Sequence, residues 1–360
     1  MNQVTLPLPV HSRFASLRPR LFAALLSITL AAVAHAQMIG QSAPSTFADI
    51  ASADHILAGN APAFHALLDG RVAEAASLLQ VTLSQNPSDA TAHQLLCRVF
   101  YAQDQADAAI RQCELATAAD PSSSDNHLWL GRAYGMKARH AGPIAGFSLA
   151  RKVHVSFERA VQLGPNSVSA SSDLGEYYIA APSIVGGGDD KARALTARMM
   201  PQFPSAAHRL IAMLAESDKD LATAESEYRQ AITAAHSPAD HSPAEAWIDL
   251  AQFYQTHNRP DDAVAAIRSG LAADRTHGPV LVDAASILTN AHREPALAER
   301  CLNEYLASRS RSDAAPTFKV HLQLSRLLAA RGDQAGSSRE VASAAALAPA
   351  FTRTRSSQGS

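Results

Sequence analysis

The sequence predicts an all-α protein, a solenoid of about eight stacked antiparallel helical hairpins. Three observations carry that expectation. First, a short motif recurs: a leucine, a small residue, then an aromatic residue, as in Leu130, Gly131 and Tyr134, in Leu174, Gly175 and Tyr178, and in Leu250, Ala251 and Tyr254. Leu96, Cys97 and Phe100 repeat it with a cysteine at the small position. Leucine and aromatic stand four apart and share one helix face. The small residue lets a second helix approach closely, and Ala109 and Ala263 supply its small counterpart. Second, the chain is 47% hydrophobic but only 6% aromatic, with alanine in excess. Alanine is the best helix former, and few aromatic rings suit thin two-layer packing. Third, 360 residues exceed what one compact core ordinarily holds. In a solenoid each hairpin touches only its neighbours, and stacking buries the faces that two helices alone leave open.

Taken in order, residues 37–60, with Gly40, Pro44 and several serines, read as a flexible lead-in to a helical domain over 61–349. A first hairpin spans Pro62 to Asn86 with Gly70 at its turn. The second runs from Ala90 to Asp120, and Pro121 ends it. The third begins near Asp125 and carries extra residues between its helices, within 137–150 around Gly142, Pro143 and Gly146. The fourth, Val168 to Phe203, has a widened turn over 181–190, and the two enlarged turns are expected to pack together as a local elaboration. Ser205 to Ala235 follows, then Ala244 to Asp274, where Trp247 fills the position that His127 holds earlier. Pro279 to Ser308 keeps the motif least well, and Phe318 to Leu347 closes the array. Residues 350–360, rich in Arg, Ser, Thr and Gly, read as a disordered tail.

This order of residues over about 60–349 resembles the tetratricopeptide repeat, a helix–turn–helix unit of about 34 residues. The resemblance implies a right-handed superhelix with the first helix of each hairpin on the concave side. The positions it implies to point inward include Gln94, Arg98, Tyr101, Asp125, Arg132, Glu176, Arg209, Glu216, Gln252 and Arg326. Their mixture of arginines, acids and amides suits an extended peptide or a partner helix. The expected function is therefore a non-catalytic protein–protein interaction scaffold without a cofactor. Arg98, Arg132 and Arg209 are expected to be exposed, adding little to stability. The alternative is an enzyme, or an accessory subunit of one, with its site in the elaborated region 141–190. The lysine–asparagine pattern by which some such repeats clamp a peptide's terminal carboxylate is absent.

Residues 1–36 are set apart from the fold. Arg13, Arg18 and Arg20 form a basic start, and Leu21 to Val33 is an apolar run shorter than the ~20 residues of a membrane span. Ala34-His35-Ala36 is a small-residue cleavage site, so 1–36 reads as a secretory signal peptide cleaved between Ala36 and Gln37. The expected address is the periplasm or the exterior, the alternative being an anchor by the uncleaved segment. Losing three arginines takes the formal charge from −2 to −5, because the segment holds no other charged residue. A mildly acidic chain without a basic stripe argues against nucleic acid as a partner. Of three cysteines, Cys97 and Cys113 fall on facing helices of one hairpin and are candidates for a disulfide, while Cys301 stands apart.

Other chemistry finds little support. His93, His127, His208 and His321 recur at one repeat position, but stacked helices stand ~8–10 Å apart and a zinc–nitrogen bond is about 2.0–2.1 Å. Such a ladder cannot close on one ion, and it reads as a half-buried amphipathic position. Gly186-Gly187-Gly188 lacks the Gly-Lys-Ser/Thr ending of a phosphate loop and reads as a turn, with Asp189 or Asp190 capping the next helix. No G-x-S-x-G elbow is present.

Overall fold

The computed structural model describes residues 58–236, 240–273 and 278–351. The signal segment with its Ala36–Gln37 cleavage point, most of the lead-in and the tail beyond Phe351 lie outside the described residues. Among the described residues every regular element is helical, and the helices pair into eight hairpins. The hairpins are α1 (Ala61–Leu68) with α2 (Val72–Gln85), α3 (Ala90–Ala102) with α4 (Ala106–Ala119), and α5 (Ser124–Ala138) with α6 (Pro143–Leu163). Next come α7 (Val168–Ala180) with α8 (Asp189–Met199), α9 (Pro204–Ser217) with α10 (Leu221–Ala234), and α11 (Pro243–Thr256) with α12 (Pro260–Ala273). The last two are α13 (Gly278–Asn290) with α14 (Pro295–Ala307) and α15 (Thr317–Ala330) with α16 (Gln334–Leu347).

Local chemistry sets the helix ends. Asp89, Ser123 and Ser167 cap α3, α5 and α7, each side chain accepting from a backbone N–H three residues on. Ser242 and Glu245 form a reciprocal capping box on α11. Six of the turns inside hairpins carry a left-handed residue two positions past the first helix: Gly70, Asp104, Lys219, Asn258, His292 and Gly332. Asp189 and Asp190 depart from expectation. They lie in the first turn of α8, where the helix dipole favours acids, but Gly188 holds the cap position and supplies no side chain.

The small residues of the motif mark tight helix contacts. A Cβ on Gly131 would stand 2.4 Å from the Phe157 ring of α6, and one on Gly175 would stand 2.5 Å from Leu210 of α9. The aromatic residues set the stacking register. Tyr134 donates to Glu114 at 2.6 Å and Tyr178 to Glu158 at 3.0 Å, each reaching the second helix of the preceding hairpin. Tyr254 does the same with Glu225 at 2.8 Å. Cys97 and Cys113 are bonded across α3 and α4, with Cα atoms 5.3 Å apart. The extra residues of the third hairpin lengthen α6, which packs against the widened turn. The Tyr177 hydroxyl bridges the carbonyls of Ala150 and Val185 at 2.9 and 2.8 Å.

The array does not stay open. Phe318, Ala344, Ala348 and Phe351 of the last hairpin share one apolar cluster with residues of α1, α2 and α3, among them Phe64, Leu67, Leu79 and Leu95. Lys319 reaches Asp104 at 2.7 Å, and a Cβ on Gly70 would meet Thr317 at 2.7 Å. The hairpins therefore run through a full circuit and the eighth docks on the first two. Phe351, placed by sequence in the tail, is buried edge-on against Phe318. The helical domain extends at least that far.

Candidate functional site

The inner face, formed by the first helix of each hairpin, is a ladder of side chains linking neighbouring hairpins. Its register is regular. A residue two after the motif leucine meets the residue just before the leucine of the next hairpin. Arg132 of α5 thus binds Asp173 of α7 through two contacts, at 2.6 and 3.3 Å. Arg209 of α9 binds Glu176 of α7 at 2.7 Å and Asp249 of α11 at 3.1 Å. Arg98 of α3 meets Trp129 of α5, its guanidinium carbon 5.0 Å from the ring centroid. Arg132 lies 4.8 Å from the same ring, and Tyr101 packs edge-on to it.

These groups are largely withdrawn from water. Arg132 is 8%, Asp173 4% and Glu176 1% exposed, and all residues from Ala170 to Tyr178 of α7 are buried. The expected exposed arginines are therefore corrected: Arg98, Arg132 and Arg209 are each engaged by carboxylates of the chain itself. Burial opposes the charge on Arg132, but Asp173 and, more weakly, Tyr101 and Asp313 hold its pKa above the ordinary guanidinium range. Glu176 is pushed upward by burial against the pull of Arg209. Asp249 is half-buried, and desolvation raises its pKa, but Arg209 and His241 hold it below the usual carboxylate range. Asp283 of α13 rises to about 7 through burial and the nearby Asp249 and Glu245.

The remaining candidate residues are spread along the array. Gln94 is buried, Asp125 lies exposed in the first turn of α5, and Arg326 is exposed on α15. Glu216 accepts from Tyr228 at 3.2 Å and stands 2.7 Å from His257. Gln252 bonds Gln255 and Thr256 within its own helix. The histidine ladder ties first helix to second inside a hairpin: His93 pairs with Gln112, His208 with Glu227 and His321 with Glu340. Among the described residues no group of three or more His, Cys, Asp or Glu is arranged to hold a metal ion.

Sequence reasoning missed Trp129, Asp173 and Asp249, although a signal exists. Each immediately precedes a motif leucine, the position that Arg209 also occupies before Leu210. It missed Asp313 as well, which no repeat position marks. Asp313 lies in the connector 308–316 and accepts two hydrogen bonds from Arg98, from Nε at 2.8 Å and from Nη2 at 3.0 Å.

A groove of about 720 Å³ runs along α6, lined by His127, Leu130, Tyr134, Phe147, Arg151 and Val155 among others. Its one carboxylate, Glu158, accepts from the Tyr178 hydroxyl and stands beside His154. No helix of the described residues is long and apolar enough to cross a membrane.

Residues 66–134 match the family model of the tetratricopeptide repeat, so that part of the chain carries its signature. No curated protein matches the chain. Among solved structures it is similar to yeast Tom70, at 16% identity over 95% of this chain and 72% of that one, with a TM-score of 0.49. A thermophilic TPR protein of Thermus thermophilus shares 20% identity over 61% of this chain and 92% of its own, with a TM-score of 0.39. Pseudomonas aeruginosa pilF shares 14% identity over 66% of this chain and 98% of its own, with a TM-score of 0.35. The chain is an all-helical hairpin solenoid, the class of fold that builds extended surfaces for protein partners.

Proposed function

We propose that this protein is a non-catalytic scaffold of the cell envelope that holds an extended segment of a partner protein on its inner face. One observation carries the reading. The inner face already holds a non-helical segment of polypeptide, because the first helices receive the connector 308–316, gripping the carboxylate of Asp313, at the turn 312–315, through Arg98. A surface that binds one non-helical segment through an arginine fork has the chemistry to bind another. The basic start, apolar run and Ala34-His35-Ala36 site support export, with Gln37 as the mature N-terminus. An enzymatic site in 141–190 is less well supported. That region is occupied by the packing of α6 on the widened turn, and the one carboxylate of the adjoining groove, Glu158, is engaged by the Tyr178 hydroxyl.

The test is photocrosslinking in the native envelope from Gln252 and Arg326 on the inner helices, with Asp262 on an outer turn and Phe147 in the α6 groove for comparison. Crosslinks to one partner from the inner positions alone support the reading. Crosslinks from Phe147 or Asp262 alone move the binding surface and refute it. N-terminal sequencing of the purified protein tests export, for which Gln37 is the expected first residue.

A further inference from the structure

The connectors between hairpins are short where the chain only has to turn. Four residues separate α2 from α3, α4 from α5, α6 from α7 and α8 from α9, whereas nine separate α14 from α15. The longer connector is not a solvated loop. Ser312, Asp313 and Ala315 are buried, Asp313 being 6% exposed. The Tyr305 hydroxyl accepts from the Ser312 N–H at 3.0 Å and donates to the Ala315 carbonyl at 2.7 Å. The Ser310 carbonyl is pressed onto the start of α13, where a Cβ on Gly278 would meet it at 2.4 Å.

Its charged tip enters a receptor made by other hairpins. Arg98 lies between two rings, its guanidinium carbon 5.3 Å from the Phe64 centroid and 5.0 Å from that of Trp129. The fork presents Nε and Nη2 together to one carboxylate, whose two oxygens they bind at 2.8 and 3.0 Å. Arg132 stands on the same Trp129 ring and carries its own acid, Asp173. Without Asp313, the group of Arg98, Arg132 and Asp173 has one positive charge in excess, on an Arg98 side chain only 12% exposed beside aromatic rings. An uncompensated buried charge is costly. The receptor therefore requires a carboxylate, and the chain provides one from a residue 215 positions away.

We infer that Arg98, Phe64, Trp129 and Tyr101 form a binding site for a side-chain carboxylate of a non-helical acidic segment, and that the connector 308–316 is its internal competitor. The inference rests on the inner-face reading above and adds to it a ligand class and a mode of control. A partner segment bearing aspartate or glutamate takes the place of Asp313 on Arg98, and the connector is released while the apolar seam of Phe318 and Phe351 keeps the array closed. A tethered competitor acts at a high effective concentration, on the order of mM for short tethers. The resting protein should thus bind acidic segments weakly, and removing the Asp313 charge should unmask the site.

The probe is a fluorescent glutamate-rich peptide, with the glutamine-for-glutamate peptide as control, measured by anisotropy on the full mature chain. Asp313→Asn should bind the acidic peptide at least about tenfold more tightly than the parent, and adding Arg98→Gln should abolish the gain. In the parent, saturating acidic peptide should speed amide exchange at Ser312 to Ala315, and the glutamine peptide should not. This second measurement decides the matter even if Asp313→Asn fails to fold. If parent and Asp313→Asn bind alike, both lose binding with Arg98→Gln, and exchange in 308–316 is unchanged, the competitor role falls while the inner-face site stands. If neither binds and exchange is unchanged, the carboxylate site itself is overturned, and the crosslinking above decides separately whether the inner face binds a partner.

Discussion

The close approach of α5 to α6 makes a paired prediction on one helix. A Cβ on Gly131 would sit 2.4 and 2.5 Å from two carbons of the Phe157 ring. Ordinary carbon contacts begin near ~3.5 Å, so the ring would have to retreat by about 1 Å. It has nowhere to go, being 1% exposed and set edge-on against Tyr177. Overpacking of this kind costs about 1–3 kcal/mol. Alanine also returns up to about 1 kcal/mol of helix propensity lost to glycine, so Gly131→Ala should be destabilising by roughly 0–2 kcal/mol and Gly131→Leu by more. Gly135 is one turn further along α5, and a Cβ there meets nothing nearer than Val153 at 4.0 Å. Gly135→Ala keeps the propensity gain without the clash and should be stabilising by up to about 1 kcal/mol. The two alanine variants should differ by about 1–3 kcal/mol, or roughly 2–12 °C in melting temperature at this chain size. Calorimetric melting of both variants beside the parent tests it. Gly131→Ala melting at or above Gly135→Ala would refute the contact.

Three further outcomes follow from the inner face and the cysteines. Arg132→Ala strands the buried Asp173 carboxylate and should lose about 3–5 kcal/mol, whereas Arg326→Ala, on an exposed residue, should stay within about 0.5 kcal/mol; urea unfolding compares them. Reducing the Cys97–Cys113 bond, which spans 16 residues, should remove about 3 kcal/mol, and melting with and without reductant measures it. Asp283 has its folded pKa raised to about 7 from 3.8, so its contribution is full below pH 4 and is lost as pH rises through 7. Stability at pH 8 should therefore rise in Asp283→Asn relative to the parent, and at pH 4 the two should nearly agree; the same gap at both values would contradict the assignment.

The hairpins were legible because their determinants are local. Leucine, small residue and aromatic lie within about one helical turn of each other, and Gly131 and Gly175 could be placed at helix contacts from that spacing alone. The inner-face positions were legible only by half. Counting forward from the leucine finds Arg98, Arg132, Glu176 and Gln252, but their partners precede the leucine of the next hairpin. Trp129, Asp173 and Asp249 therefore looked like ordinary helix residues. An arginine named without its acid reads as solvated, which is why Arg132 and Arg209 were expected at the surface. Helix capping at 189–190 failed for a different reason: Gly188 has a backbone φ of +135°, a conformation that glycine adopts readily and aspartate does not.

Closure of the array had no local signature at all. It depends on Phe318 and Phe351 reaching α1 to α3, on Lys319 reaching Asp104, and on Asp313 reaching Arg98. Each partner looks ordinary in its own stretch of sequence. A stacked array has two end hairpins, each with an uncovered apolar face, and repeat proteins ordinarily cover these with polar caps. Here neither end is polar: α1 carries Phe64 and Leu67, and α15 carries Phe318 and Val320. The two apolar ends cover each other instead. That choice brings the connector 308–316 back over α3 and α5, where its one carboxylate finds Arg98. The same closure that stabilises the ends thus sets a chain segment on the surface that would otherwise be open to a partner, and stability and access to the inner face become two readings of one set of contacts.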